Sequence, residues 1–209
     1  MVRTTLPAGD DGGTAWRCYV ALPPSARATR QLITRLAPLR AAFPGARWTA
    51  AEDLHVTLVF LGAVAVELVP AVVAVVVAVA AAGAPFRIAV RGAGEFGGRQ
   101  RPRVVWLGIE EDSASMVELE AALRLRLAAL PGLTDHTDAA QRVAHLTVAR
   151  RAPEALADSL REAFEATATS WVADRVALYR SDVGRQGARH EQIVTAPIGG
   201  DLRSTAAED

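Results

Sequence analysis

Two stretches of this chain set a histidine and a threonine one residue apart inside an apolar frame, Leu54-His55-Val56-Thr57-Leu58 and Ala144-His145-Leu146-Thr147-Val148. An imidazole with an ordinary pKa near ~6.5 takes or gives a proton at neutral pH, and a threonine hydroxyl is a neutral hydrogen-bond donor. Two such pairs lining one cleft would divide acid and base work. One histidine would take a proton from water while the other gives one to a leaving oxygen. The hydroxyls would hold nonbridging phosphate oxygens without trapping the product as a fixed cation would. The chemistry that fits is in-line displacement at phosphorus, without a metal.

Strands are needed to position these groups. Successive strand side chains alternate faces, so His55 and Thr57 share one face while Val56 and Leu58 share the other. His145 and Thr147 stand in the same relation to Leu146 and Val148. Hydrophobic periodicity predicts further strands at 16–22, 86–91, 104–109, 171–179 and 191–197, with the motif strands at 55–61, closed by Gly62, and 143–149. Helices are predicted at 25–42, 66–82, 113–130 and 153–167. Each half carries a motif strand followed by a helix, which predicts two duplicated α+β lobes facing each other about a pseudo-twofold axis.

Composition narrows the function further. The 209 residues are 51% hydrophobic and the formal charge is zero, with 23 basic and 23 acidic residues, which argues against a protein that coats nucleic acid. A small, site-confined anion still fits. Every basic residue is arginine, so a single Arg carries little weight as a signal. Cys18 is the only cysteine; it excludes an internal disulfide framework, reads as a packed thiol, and makes a reducing cytoplasm the expected compartment. Residues 1–15 lack the order of a signal peptide and are expected to be a flexible tail, as are 199–209, leaving 16–198 as a single domain. The apolar stretch 64–86 is interrupted by Glu67, Pro70 and Gly83 and reads as a buried helix, not a membrane span. A monomer is expected.

The remaining features read more plainly. Either motif alone would suit a core histidine with a satisfied hydrogen bond, but the repeated frame argues for a site. A zinc centre lacks ligands, since only two histidines are in evidence and no carboxylate stands at ligand spacing beside either. No metal or cofactor is therefore expected. His136, in the segment 133–137, fails the pattern and reads as a solvated loop residue. The basic segment 97–103 suits a clamp on an RNA backbone and an ordinary turn equally. Phe96 and Trp106 are of a type that stacks on bases, although Trp106 reads as core.

The stretches Leu54-His55-Val56-Thr57-Leu58-Val59-Phe60-Leu61-Gly62 and His145-Leu146-Thr147-Val148-Ala149-Arg150 resemble the two signatures of the two-histidine phosphoesterase superfamily. More narrowly, the chain resembles its RNA 2′,3′-cyclic phosphodiesterases, historically called 2′-5′ RNA ligases. The likeness extends through Arg17-Cys18-Tyr19-Val20-Ala21-Leu22-Pro23 and Arg101-Pro102-Arg103-Val104-Val105-Trp106-Leu107-Gly108, from about residue 16 to 198. The resemblance implies a bilobal α+β fold with antiparallel sheet, helices packed outside and a central, metal-free cleft. It implies hydrolysis of a terminal RNA 2′,3′-cyclic phosphate to a 2′-phosphomonoester, with ATP-independent 2′,5′ joining as the reverse reaction. It further implies His55 as acid, His145 as base, and Thr57, Thr147 and Arg150 as substrate-binding residues. Small cyclic nucleotides, an ADP-ribose cyclic phosphate, or non-catalytic binding of nucleotide ends remain alternatives. In that family an aromatic residue, often Tyr, tends to follow a segment like Tyr179-Arg180-Ser181, where this chain carries His190. The Pro that commonly precedes the second motif is also absent.

Overall fold

A computed structural model describes residues 2–4, 14–98, 101–111, 114–133, 143–165, 168–184 and 187–200. The described strands are β1 (Arg3–Thr4), β2 (Ala15–Leu22), β3 (Arg47–Trp48), β4 (Val56–Ala65), β5 (Phe86–Gly98), β6 (Arg101–Glu111), β7 (His145–Arg150), β8 (Thr169–Ala173), β9 (Arg175–Gly184) and β10 (Gly187–Pro197). The helices are α1 (Ala26–Ala42), α2 (Val69–Ala82), α3 (Ala114–Ala128) and α4 (Glu154–Glu165). Ser25 caps α1, its hydroxyl accepting from the Ala28 N–H at 3.2 Å.

The strands form one antiparallel sheet in the order β1-β10-β9-β2-β4-β7-β6-β5-β8, with β3 added against β7. Two units of the same plan run through the chain, β2-α1-β4-α2 and β6-α3-β7-α4. Each lends its parts to the other. Strand β5 follows the first unit yet pairs with β6, while β9 and β10 follow the second unit and extend the sheet from β2. Likewise α1 packs against α4 and β8, and α3 against α2 and β4. The lobes β10-β9-β2-β4 and β7-β6-β5-β8 meet where β4 pairs β7 through Val56 and Leu146, both fully buried.

The core lies on the helix side of the sheet. Buried residues of α2 (Val72, Val76, Val79) and α4 (Leu156, Leu160, Phe164) press onto the buried face of the strands, each such side chain contributing about 1.5–3 kcal/mol of transfer free energy. The apolar segment 64–86 is thus a core helix of 14 residues with its flanks, as its interruptions predict. Among the described residues no helix is long and apolar enough to cross a membrane. Cys18 is fully buried, and burial pushes its thiol up to about 12, so it stays protonated.

Several expected boundaries move. Gly62 does not end its strand; it adopts a φ of 66° at a register shift, and β4 continues to Ala65. Strands β5 and β6 outrun their apolar cores, with Gly98 pairing Arg101, so the described residues of the basic 97–103 segment belong to strands. The expected strand 171–179 is two strands, β8 and β9, because the chain crosses at Asp174 from the outer edge of one lobe to the middle of the other. His136 lies outside the described residues. So do most of the expected tails, from which Arg3 and Thr4 form β1 against Thr195 and Val194.

Candidate active site

The pairing that joins the lobes runs through the middle residue of each His-x-Thr motif. Because Val56 faces Leu146 in an antiparallel ladder, His55 falls beside Thr147 and Thr57 beside His145. All four polar side chains rise from the sheet face opposite the core, while Val56, Leu58, Leu146 and Val148 are buried beneath.

Two bulges widen that face. Opposite β2, Ala21 pairs Thr57 and Val20 pairs Val59, leaving Leu58 as an extra residue. Opposite β6, Trp106 pairs Thr147 and Val105 pairs Ala149, leaving Val148 extra. Leu58 and Val59, and likewise Val148 and Ala149, therefore both turn inward and are buried. Strict alternation would send Arg150, three residues after Thr147, into the core. The bulge returns it to the cleft face, where it is exposed.

Each histidine is anchored in the same way. His55 Nδ1 lies 2.7 Å from the Asp53 carbonyl oxygen and His145 Nδ1 lies 2.8 Å from the Val143 carbonyl oxygen. A carbonyl only accepts, so each Nδ1 carries a proton that it donates, and in the neutral ring the lone pair resides on Nε2. His55 is pushed down to about 4, chiefly by burial and further by His190, Arg150 and His145, against the opposing pull of its bond to Asp53. It is neutral at pH 7 in the free protein.

The walls around the two rings differ. His55 lies 4.8 Å from the Tyr19 ring, 5.8 Å from Tyr179 and 5.6 Å from His190 between centroids. Tyr19 and Tyr179 stack at 5.1 Å and, with Ala21, Ala177 and Phe60, form a small apolar cluster on the cleft side. Burial first, then the neighbouring Tyr179 and Asp53, hold the Tyr19 hydroxyl well above its ordinary range, so it remains a donor. His145 instead meets Phe96 at 4.9 Å and Trp106 at 5.8 Å.

Trp106 is therefore not core, as its apolar flanks suggest, but a cleft wall, because it pairs with Thr147 on the outward face. Its indole lies over Gly94, where an added Cβ would come within 2.3 Å of the ring. Gly94→Ala is expected to displace Trp106 at a cost of about 1–3 kcal/mol, read as a shift in the urea midpoint, with a change in near-ultraviolet circular dichroism from the indole. Arg103 is committed to ion pairs with Glu95 and with Glu154, the latter at 3.4 Å, which argues against the RNA clamp for this residue. Arg99 and Gln100 lie outside the described residues.

No hydrogen-bond partner for the Thr57 or Thr147 hydroxyls, and no carboxylate paired with Arg150, occurs among the described residues. The Arg150 guanidinium is lowered by desolvation and by the charge of Arg17. Arg151 follows in the left-handed region, φ 51°, turning the chain out of β7. Among the described residues no group of three His, Cys, Asp or Glu side chains converges as metal ligands would. Sequence reasoning missed Tyr19 and Tyr179 at the site, and only strand order could have found them.

A family model described as the 2′-5′ RNA ligase superfamily matches residues 23–185. The chain belongs to that superfamily. An RNA 2′,3′-cyclic phosphodiesterase of Geobacillus stearothermophilus is 30% identical over 188 residues, covering 86% of this chain and 56% of that protein. The chain spans about half the length of the curated relatives it matches. Among solved structures, a Thermus thermophilus protein superposes with a TM-score of 0.66 at 24% identity, covering 88% of this chain and 99% of that one. LigT of E. coli superposes with a TM-score of 0.63 at 22% identity, covering 88% and 98%. These likenesses establish the bilobal ligase-superfamily fold, with its antiparallel sheet and outer helices.

Proposed function

We propose that this superfamily member hydrolyses a terminal RNA 2′,3′-cyclic phosphate to a 2′-phosphomonoester by metal-independent acid/base catalysis. The observation that carries the reading is the repeated anchor: two histidines, each donating Nδ1–H to a carbonyl two residues back, flank one buried pairing of Val56 with Leu146. Each ring thereby turns the same nitrogen, Nε2, to proton transfer.

In this reading His145 Nε2 takes a proton from the water that attacks phosphorus. His55 Nε2 gives one to the departing 3′ oxygen, so the P–O3′ bond breaks and the phosphate stays on O2′. Because free His55 is neutral, it gains its proton as the phosphate anion enters and offsets the burial and the Arg150 charge that depress it. Thr57 and Thr147 donate to nonbridging oxygens, and Arg150 adds a charge-assisted contact. RNA 3′ ends or small nucleotides bearing the cyclic phosphate are the partners this site would take, in a monomeric, cytoplasmic enzyme whose single domain spans 16–198.

The test is turnover of a short RNA with a 2′,3′-cyclic phosphate end in the presence of EDTA, with the product position identified. A 2′-phosphate is expected. Absence of turnover by folded protein would overturn the reading, and equal turnover of a mononucleoside 2′,3′-cyclic phosphate would move the substrate to small nucleotides. Arg150→Ala is expected to raise KM about tenfold with a smaller change in kcat, measured by steady-state kinetics.

A further inference from the structure

His190 stands inside the site, and the two-histidine reading gives it no part. It lies on β10 opposite Ser181, half-buried, with its ring centroid 5.6 Å from that of His55 and at 66° to it. Its Nδ1 is 2.9 Å from the Tyr19 hydroxyl. The Tyr19 ring lies edge-on to His190 at 88°, with Tyr179 stacked behind it.

The Tyr19 hydroxyl is buried and held protonated, so it donates and His190 Nδ1 accepts. A neutral ring that accepts at Nδ1 carries its proton on Nε2. This is the opposite tautomer from His55 and His145, which donate from Nδ1. Burial lowers His190, and Arg150 lowers it further against the attraction of Asp53, so the neutral form is favoured. The site thus holds a neutral N–H donor on a ring whose centroid lies 5.6 Å from that of His55.

We propose that His190, fixed as the Nε2–H tautomer by Tyr19, is a third substrate-touching imidazole that donates to a nonbridging phosphoryl oxygen beside His55. This inference rests on the phosphodiesterase reading for its consequence in turnover, but the contact itself requires only a phosphate in the cleft. A neutral donor strengthens its bond as charge builds on that oxygen at phosphorus, without adding a cation that would depress His55 further.

The test compares His190→Phe, which keeps a ring and removes the donor, with His190→Gln, which keeps a neutral N–H near the Nε2 position. His190→Phe is expected to lower kcat/KM for the cyclic phosphate by about 10- to 100-fold, with His190→Gln within about fivefold of wild type. A purely structural role would make the two variants lose alike, and that result, or a phenylalanine variant within about twofold of wild type, would overturn the proposal. Independently, long-range proton–nitrogen NMR of the wild-type chain should find His190 protonated at Nε2, with that resonance moving on titration with inorganic phosphate. A proton on Nδ1, or a resonance indifferent to phosphate, would sink the contact. Movement with phosphate in a wild type that turns over no cyclic phosphate would keep the contact and remove the hydrolase reading.

Discussion

His145→Ala and His55→Ala are each expected to lower kcat/KM for the cyclic phosphate by about 10²- to 10⁴-fold. The two losses should part company when the leaving atom changes. With sulfur replacing the 3′ bridging oxygen of the substrate, the thiolate departs without needing a proton. The His55 variant should then recover most of its rate, whereas the His145 variant, still lacking a base for water, should not. Recovery in the His145 variant alone would exchange the two roles. Both proteins must remain folded for the comparison, and the local geometry favours this: each imidazole rises from the sheet face opposite the core and is anchored through a hydrogen bond to a carbonyl two residues back.

Acid is expected to destabilise the protein through His55. Its folded pKa is depressed from 6.5 to about 4, so its contribution is fully present above pH 6.5 and is lost as the pH falls toward about 4. Over that window the unfolded chain binds the proton that the folded chain refuses, which makes stability rise with pH. The fall in proton affinity corresponds to about 3 kcal/mol, at about 1.4 kcal/mol for each tenfold. His55→Asn keeps a donor for the Asp53 carbonyl and removes the titration. Between pH 7 and 4, urea denaturation should therefore cost the wild type about 3 kcal/mol more than this variant. Parallel slopes would mean that His55 is not held neutral by its surroundings. His190 shifts in the same direction and remains in both proteins, so it cancels in the comparison.

The strands and faces of the site were legible in sequence wherever one strand sufficed to fix them. The apolar frame around His55 and His145 told which side each imidazole would take, and Val56, Leu58, Leu146 and Val148 are buried as that frame requires. Features made by two or more strands were hidden. Arg150 reaches the cleft only because Val148 is an extra residue against β6, a register shift that the stretch Leu146-Thr147-Val148-Ala149 does not disclose. Trp106 reads as core from its neighbours Val105 and Leu107, both fully buried, yet it pairs outward with Thr147. Tyr19, Tyr179 and His190 surround His55 because β2, β9 and β10 lie side by side, although Tyr19 and His190 are 171 positions apart in sequence. Gly62 signals a break in the pattern correctly, but its left-handed backbone serves a bulge instead of an end.

The exchange of strands between the two units also sets a schedule for synthesis. The lobe that holds His55 needs β9 and β10 to complete its sheet, and these are among the last described segments of the chain to leave the ribosome. A growing chain that has made β2, α1, β4 and α2 still presents the outer edge of β2 unpaired, and β7, the partner that places His145 beside Thr57, has yet to be translated. Neither unit can therefore reach its native sheet during its own translation, and the sheet is completed only by closure of segments distant in sequence after both are made. A chain stalled before residue 175 would carry both His-x-Thr motifs and Tyr19 on β2 but lack β9 and β10, which bring Tyr179 and His190 to His55.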